Sequence, residues 1–456
     1  MEEYMKNLTE QIRHKKARTA VEEEIRQHIE EQIESYEVSG MEHDEAVRRA
    51  IRDMGDPVTA GIELDRIHRP RMAWGMVSII AIISLCSILL QMVIGQNDTE
   101  LGWNHVIKHA VHIVTGFGVM LLVYRLDYTF IGRYAKCMTV LLAVYFCANI
   151  FFVGLEMNGA RAWAYIPGIG VISLRVLQYL FIPLYAGILY TYRGSGYVGV
   201  VKSILWMLLS IFISRCLYSV TVMLQLIFIM ALLLSFAVYK NWFQIKKIPF
   251  LVGLWTCLVV VPAVCLFFAI RLEWMATYRI ERIRAMFSLT QRAENYLALR
   301  IREYMNSSLV FGNSGTPFEG YMPSYESEHV MVFIASYYGI AIAVLAFVVL
   351  LCLSIRMFGI SLRQKNQLGM IIGCGCGLVF VMQICVHLIV NTGLTATTTW
   401  LPFFSSGGTG ILVSYILLGI VLSIYRYKEI LPNNIKILPT NVKGLKIPRI
   451  SIIIER

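Results

Sequence analysis

Ten apolar runs, most of them about twenty residues long, are spread over residues 73–424. They constrain the fold more than any other feature, because a stretch of about twenty apolar residues is what an α-helix needs to cross the hydrocarbon core of a bilayer. The runs lie near Ala73–Ile94, Val106–Tyr124, Ala135–Val153, Ile172–Tyr190, Val198–Ile213, Leu217–Tyr239, Ile248–Ile270, Val330–Ile355, Gly369–Val390 and Gly410–Ile424. With 57% hydrophobic and 16% charged residues, the composition excludes an ordinary soluble enzyme. The expected fold is all-α, a polytopic membrane protein of about ten transmembrane helices behind a small cytoplasmic helical domain.

Lys and Arg resist translocation, so their positions orient the spans. Arg125, Arg133 and Lys136 fall on one side, as do Arg193 with Lys202, Lys240 with Lys246 and Lys247, Arg356 with Arg363 and Lys365, and Arg426 with Lys428. The short loops of the other side hold Arg161 and Arg215. Both termini are therefore expected in the cytoplasm, with the long connection 271–328 outside. The net charge of +11 belongs at membrane edges against anionic lipid heads, including the basic tail 428–456, and calls for no nucleic acid. No cleavable signal precedes the first run, which is expected to act as its own uncleaved signal. The cysteines fall within or beside the runs and read as small packing groups; Cys374 and Cys376 lack a second ligand pair for a metal.

Residues 1–70 differ from the rest. Val21, Ile25, Ile29 and Ile33 recur every fourth residue among glutamates, which predicts an amphipathic helix ended by Gly40. A second helix is expected from about His43, with Ala46, Val47, Ala50 and Ile51 on one side and a stop at Gly55-Asp56-Pro57; a third piece covers Val58–Ile67. This stretch resembles the permease prefix domain found ahead of other bacterial membrane proteins. It carries no catalytic grouping, and a docking role toward a cytoplasmic partner or the inner membrane surface is expected of it.

Chemistry points to the other end of the chain. Trp400-Leu-Pro-Phe-Phe-Ser-Ser-Gly-Gly-Thr-Gly410 is a polar element, broken by proline and glycine, at a membrane boundary. Lipid tolerates such backbone only where protein or a wet cavity surrounds it. The element is similar to the signature before the last span of the SEDS family, the FtsW/RodA/SpoVE proteins of bacterial cell-wall synthesis. Its usual form there reads leucine-proline-phenylalanine-x-serine-tyrosine-glycine-glycine-serine. Here Ser406 stands for the tyrosine and Thr409 for the serine. The run from Met322 to Gly339 resembles the family's junction between outer loop and span, and an ungapped count places Glu328 where the family carries its essential aspartate. Asn158-Gly-Ala-Arg-Ala-Trp163 matches asparagine-glycine-alanine-arginine-arginine-tryptophan. Further on the match decays. The family's lysine, which balances the essential acid, is replaced within Ser173-Leu-Arg-Val176 to Tyr179, its proline-aspartate-x-glycine motif is missing near Ser214–Thr221, and His387 takes the place of an asparagine.

The resemblance implies peptidoglycan glycosyltransfer on lipid II, the undecaprenyl-pyrophosphate-linked precursor, at the outer face of the bacterial cytoplasmic membrane, in division, shape or sporulation. Glu328 would be the catalytic base for a weakly nucleophilic sugar hydroxyl, with Glu326 as substitute. Arg161, Arg175, Arg300, Arg302, Pro402, Ser405, Gly407 and Gly408 would bind substrate. The outer loop, with Arg271, Arg279, Arg282, Arg284, Arg292, Arg300 and Arg302 and no lysine, suits phosphate oxygens; pairing with Glu273, Glu281, Glu294 and Glu303 is the alternative. Tyr296–Leu309 is expected as an interfacial amphipathic helix over the groove. A class B penicillin-binding protein would be the partner. The sequence specifies no cofactor and leaves room for a divalent cation, for which the row His105, His109, His112 is one arrangement and plain packing the other. A non-catalytic relative that binds or moves precursor, or scaffolds a synthase, stays open. A coupled carrier lacks the intramembrane acidic pairs such transporters need. The domain reading is 1–70 prefix, 71–427 membrane domain and 428–456 tail.

Overall fold

A computed structural model describes residues 1–68, 72–98, 100–157, 159–166, 170–272, 296–318, 320–394, 397–428, 435–442 and 445–452, the last two in backbone only. Four helices come first, the second a long one: α1 Glu2–Glu10, α2 Lys15–Val38, α3 His43–Asp53 and α4 Pro57–Ile67. The sequence pattern showed the last three; α1 is an addition, its Tyr4, Met5 and Leu8 packed inward. Asp56 starts α4 by accepting from Thr59 N at 2.8 Å, with Pro57 at the first helical position where its missing N–H costs nothing. Asp65 of α4 accepts from Arg13 N at 2.9 Å, so the first and last pieces of the prefix close on each other. The His14 ring lies 5.9 Å from that of Tyr427, at the end of the last membrane helix.

Ten helices among the described residues are long and apolar enough to cross a membrane: α5 Trp74–Asn97, α6 Gly102–Arg125, α7 Thr129–Val153, α8 Leu174–Thr191, α9 Gly196–Cys216, α10 Val220–Tyr239, α11 Lys247–Arg271, α14 Ile340–Leu362, α15 Gln367–Asn391 and α16 Gly408–Arg426. Their apolar surface is uniform around most of them because lipid replaces solvent. Close packing therefore rests on small residues and interior hydrogen bonds. At the α6–α16 contact a Cβ on Gly116 would lie 2.3 Å from the Tyr415 ring, and one on Gly419 would lie 2.8 Å from Met120 O. Nothing larger than glycine lets these helices approach so closely. Tyr179, Gln225 and Gln383 form a hydrogen-bonded chain in the interior, where Gln383 Nε2 donates to Gln225 Oε1 at 2.9 Å and the Tyr179 hydroxyl donates to the same oxygen. In α8, α15 and α16 most residues are buried, whereas α11 buries none.

The structure departs from the sequence reading in two places. The run expected as one span, Val330–Ile355, is two helices, α13 Val330–Tyr337 and α14, parted at Gly339 with φ 105°. Extended chain from Leu309 onward passes against this break, with Ile340 N donating to Leu309 O at 2.9 Å and Ser314 N to Ser336 O at 2.9 Å. That backbone pairing, which no apolar count reveals, stops the helix. The second departure is a small antiparallel sheet, β1 Leu155–Met157, β2 Ala160–Ile166 and β3 Gly170–Ser173, set into a membrane domain that is otherwise the expected all-α bundle. Alternate residues Ala160, Ala162 and Ala164 of β2 are buried. The amphipathic helix of the long loop is present as α12 Tyr296–Ser307, with Ile301 and Tyr304 buried. In the tail the backbone pairs as β4 Ile435–Val442 and β5 Leu445–Ile452.

Candidate active site

The polar element before α16 folds into a turn instead of starting the helix early. Pro402 lacks an N–H, Phe403 takes φ 71°, and Phe404 N donates back to Pro402 O at 3.0 Å. A phenylalanine at positive φ is strained. It is held by burial of its ring between Phe380 and Tyr415, with centroids at 6.2 and 5.2 Å. The helix then begins at Gly408, where a Cβ would meet the His112 imidazole at 2.7 Å; a Cβ on Gly410 would meet the Trp400 indole at 2.8 Å.

Across from this turn lies the loop that precedes α13. Ser405 Oγ donates to Ser327 O at 2.6 Å and accepts from Leu401 N at 2.7 Å, and Ser406 N donates to Glu326 O at 3.1 Å. Asn391 Nδ2 donates to Glu328 O at 3.1 Å. The turn, the threonine run before it, the loop and the ends of β2, β3, α8 and α10 line an open cleft of about 1000 Å³. Glu328 and Arg175 line it, together with Trp163, Tyr179, Trp400 and a band of hydroxyls from Ser173, Thr221, Thr397, Thr399 and Thr409.

Electrostatics single out Glu328. Burial, joined by repulsion from Glu326, pushes its carboxyl up to about 7, and the Arg175 charge pulls against that rise. Glu326 is raised too, by burial first and then by Asp98. Beside them His329 is buried and held down to about 4, which leaves a neutral imidazole in the cleft wall. Arg175 donates from Nε to Leu217 O at 3.2 Å, which fixes the guanidinium where α8 meets the end of α9. The site thus holds a carboxyl able to gain or lose a proton near neutral pH, a fixed cation and a hydroxyl-rich, aromatic wall.

The expected residues part company here. Glu328, Arg175, Ser405, Gly407 and Gly408 line one cleft, and Pro402 shapes the turn. The Ser405 hydroxyl gives its proton to Ser327 O, so it joins two walls and is not turned toward a ligand. Arg161, expected near a phosphate, is on the exposed hairpin, 3.6 Å from Glu156 and donating to Phe151 O at 3.1 Å; it shares a face of β2 with Trp163, but Trp163 lies nearer β3 and lines the cleft whereas Arg161, next to the β1–β2 turn, does not. Arg300 pairs with Glu303 at 2.8 Å and lies over Tyr304 and Tyr321. Arg302 lays its stem over Gly393, whose added Cβ would lie 2.9 Å from its Cγ. Neither lines the cleft. Arg279, Arg282, Arg284 and Arg292, and Asn158, lie outside the described residues. Sequence reasoning missed the threonines; the run Thr397-Thr-Thr399 directly before Trp400 was the available signal. Among the described residues no three His, Cys, Asp or Glu side chains gather as metal ligands, the row His105, His109, His112 included.

A bundle of ten helices long and apolar enough to cross a membrane, with a polar cleft framed by a broken backbone before the last of them, defines a polytopic membrane protein. Comparison specifies which: the family model described as cell cycle protein, of the FtsW, RodA and SpoVE type, matches residues 70–430, and the chain belongs to that family. It is therefore a multi-pass protein of the bacterial cytoplasmic membrane. A probable peptidoglycan glycosyltransferase FtsW of Enterococcus hirae is 35% identical over 114 residues, 25% of this chain and 28% of that protein. The chain thus matches little over a quarter of that relative's length. Another of that name from Idiomarina loihiensis is 23% identical over 335 residues, 71% of this chain and 79% of the relative. In fold the chain is similar to a chain of a peptidoglycan synthase complex that coordinates polymerization and crosslinking, with TM-score 0.64, 19% identity and coverage of 78% of this chain and 98% of that one. The rod shape determining protein RodA of Thermus thermophilus gives TM-score 0.55 at 18% identity over 78% of this chain and 97% of that one.

Proposed function

We propose that the chain is a peptidoglycan glycosyltransferase that extends glycan strands from lipid II at the outer face of the cytoplasmic membrane, both termini being cytoplasmic. The observation that carries the reading is the pairing of Glu328 and Arg175 in one cleft beside the turn at Pro402. Family membership and the names of the relatives point the same way. Glu328 removes the proton of the attacking sugar hydroxyl as that oxygen bonds to the anomeric carbon of a second precursor. The bond from that carbon to the pyrophosphate oxygen breaks, and undecaprenyl pyrophosphate leaves with the electron pair. Arg175 supplies positive charge within the cleft, the part a lysine plays in the pattern the family resemblance implies. Trp163, Trp400 and the threonine hydroxyls offer the aromatic faces and polar edges that sugars bind. Partner and prefix follow from the same reading: a class B penicillin-binding protein to crosslink the strand, and residues 1–70 as a docking module on the cytoplasmic side.

Purified protein supplied with lipid II is expected to make polymer, and Glu328→Gln to abolish it with thermal stability retained. A parent chain that binds lipid II without polymerising it would instead mark a non-catalytic precursor-binding relative.

A further inference from the structure

Behind the cleft, four polar side chains of α5 and α6, Ser87, Gln91, His105 and His109, are linked inside the bundle near its outer end. Gln91 is fully buried, and every hydrogen-bonding group of its amide is used. Nε2 donates to Glu326 O at 2.9 Å and to Phe404 O at 2.8 Å, and Oε1 meets His105 Nε2 at 2.7 Å. An amide oxygen only accepts, so His105 carries its proton on Nε2, and this fixes which way the amide faces. One turn earlier Ser87 Oγ donates to Phe403 O at 2.6 Å. Its single proton is thereby used, so His109 Nε2, at 2.8 Å, donates to Ser87.

The two carbonyls held by Gln91 belong to opposite walls of the site. Glu326 is two residues before Glu328, and Phe404 is directly before Ser405. Positive φ at Phe403 turns this stretch of chain out of any regular ladder, so its carbonyls need side-chain donors. We infer that Gln91 is a positioning residue for glycosyl transfer, clamping the loop of Glu328 to the turn of Pro402 from behind, with His105 setting the orientation of its amide. The inference rests on the function proposed above. Nothing in Gln91 touches the cleft, so it acts by geometry alone. A displacement of about 1 Å in a reacting group lowers turnover by roughly a hundredfold.

The test uses the full chain in detergent with lipid II. Gln91→Leu keeps the volume and removes both donors; Ser84→Ala, which breaks the buried bond to Tyr415 two turns earlier in α5, controls for lost stability. The expected result is a fall of roughly ten- to hundredfold in kcat for Gln91→Leu with KM within about twofold, and kcat near the parent's for Ser84→Ala. Parent-like kcat in Gln91→Leu, or an equal loss in Ser84→Ala, overturns the inference while leaving the function standing. Should Gln91→Leu fail to fold, Gln91→Glu retains the acceptor for His105 but lacks the paired donors, and the same outcomes apply. If the parent makes no polymer, the proposed function fails by itself, and amide hydrogen exchange decides the clamp: residues 324–329 and 401–407 are expected to exchange faster in Gln91→Leu than in the parent and in Ser84→Ala. Unchanged exchange in both segments would sink it.

Discussion

A carboxyl at about 7 facing an arginine behaves differently from a solvated glutamate. As a base Glu328 must be ionised, so activity is expected to fall as pH drops through about 7 and to level off above it. Arg175 favours the ionised form, and removing it raises the carboxyl further. Arg175→Gln should therefore move the acidic limb of the kcat/KM profile to higher pH, beyond any change in maximal rate; an unshifted limb would mean that the two charges do not sense each other. Resemblance to the family pattern picked out Glu328 in the sequence. Arg175 was one of several arginines expected to bind substrate until β3 and α8 brought it to the same cleft.

Among the elements, the turn before α16 is the most demanding. Its glycines differ in purpose: Gly407 has open space where a Cβ would stand, whereas Gly408 sits against His112. Gly408→Ala is expected to lower stability by about 1–3 kcal/mol through overpacking, and Gly407→Ala by less than about 0.5 kcal/mol in its ordinary backbone conformation. Thermal melting of both variants in detergent would show it, and equal midpoints would contradict the assigned contact. The break at Gly339 follows similar logic. A Cβ there would lie 2.5 Å from Val310 O, so the apolar run 330–355 cannot continue as one helix past the chain that crosses it. Hydropathy reads this run as continuous because both halves are apolar; the interruption comes from a segment some thirty residues away in sequence. The hairpin carrying Arg161 was missed for a related reason, since three short strands at a span's mouth leave little periodicity to detect.

For the whole molecule, the membrane domain and the prefix meet through contacts such as His14 with Tyr427, while the prefix has buried side chains of its own in Tyr4, Met5, Leu8, Ile29 and Ala50. Deleting residues 1–68 is expected to leave insertion and the melting of the membrane helices nearly unchanged; collapse of the remainder would show the prefix to be structural. Cysteine substitutions at Ser324 and at Glu37, in a chain otherwise freed of cysteine, should be labelled from outside and from inside respectively by a membrane-impermeant thiol reagent. Labelling at the opposite faces would overturn the orientation and with it an extracellular site.

Ten spans, the amphipathic prefix and the broken element before Gly410 were all legible in the sequence, because each is a local pattern of hydrophobicity or of Pro and Gly, set by what neighbouring residues must bury or leave unpaired. Resemblance to the SEDS family supplied the remaining expectation, that Glu328 is the group of interest. The tertiary structure alone decided which charges share a cleft with it. A side chain's company depends on where along a strand it falls, where helices break and which small residues let spans close up. Those choices settled on Arg175 over Arg161, turned the Ser405 hydroxyl inward, and set Gln91, unremarkable in sequence, behind both walls.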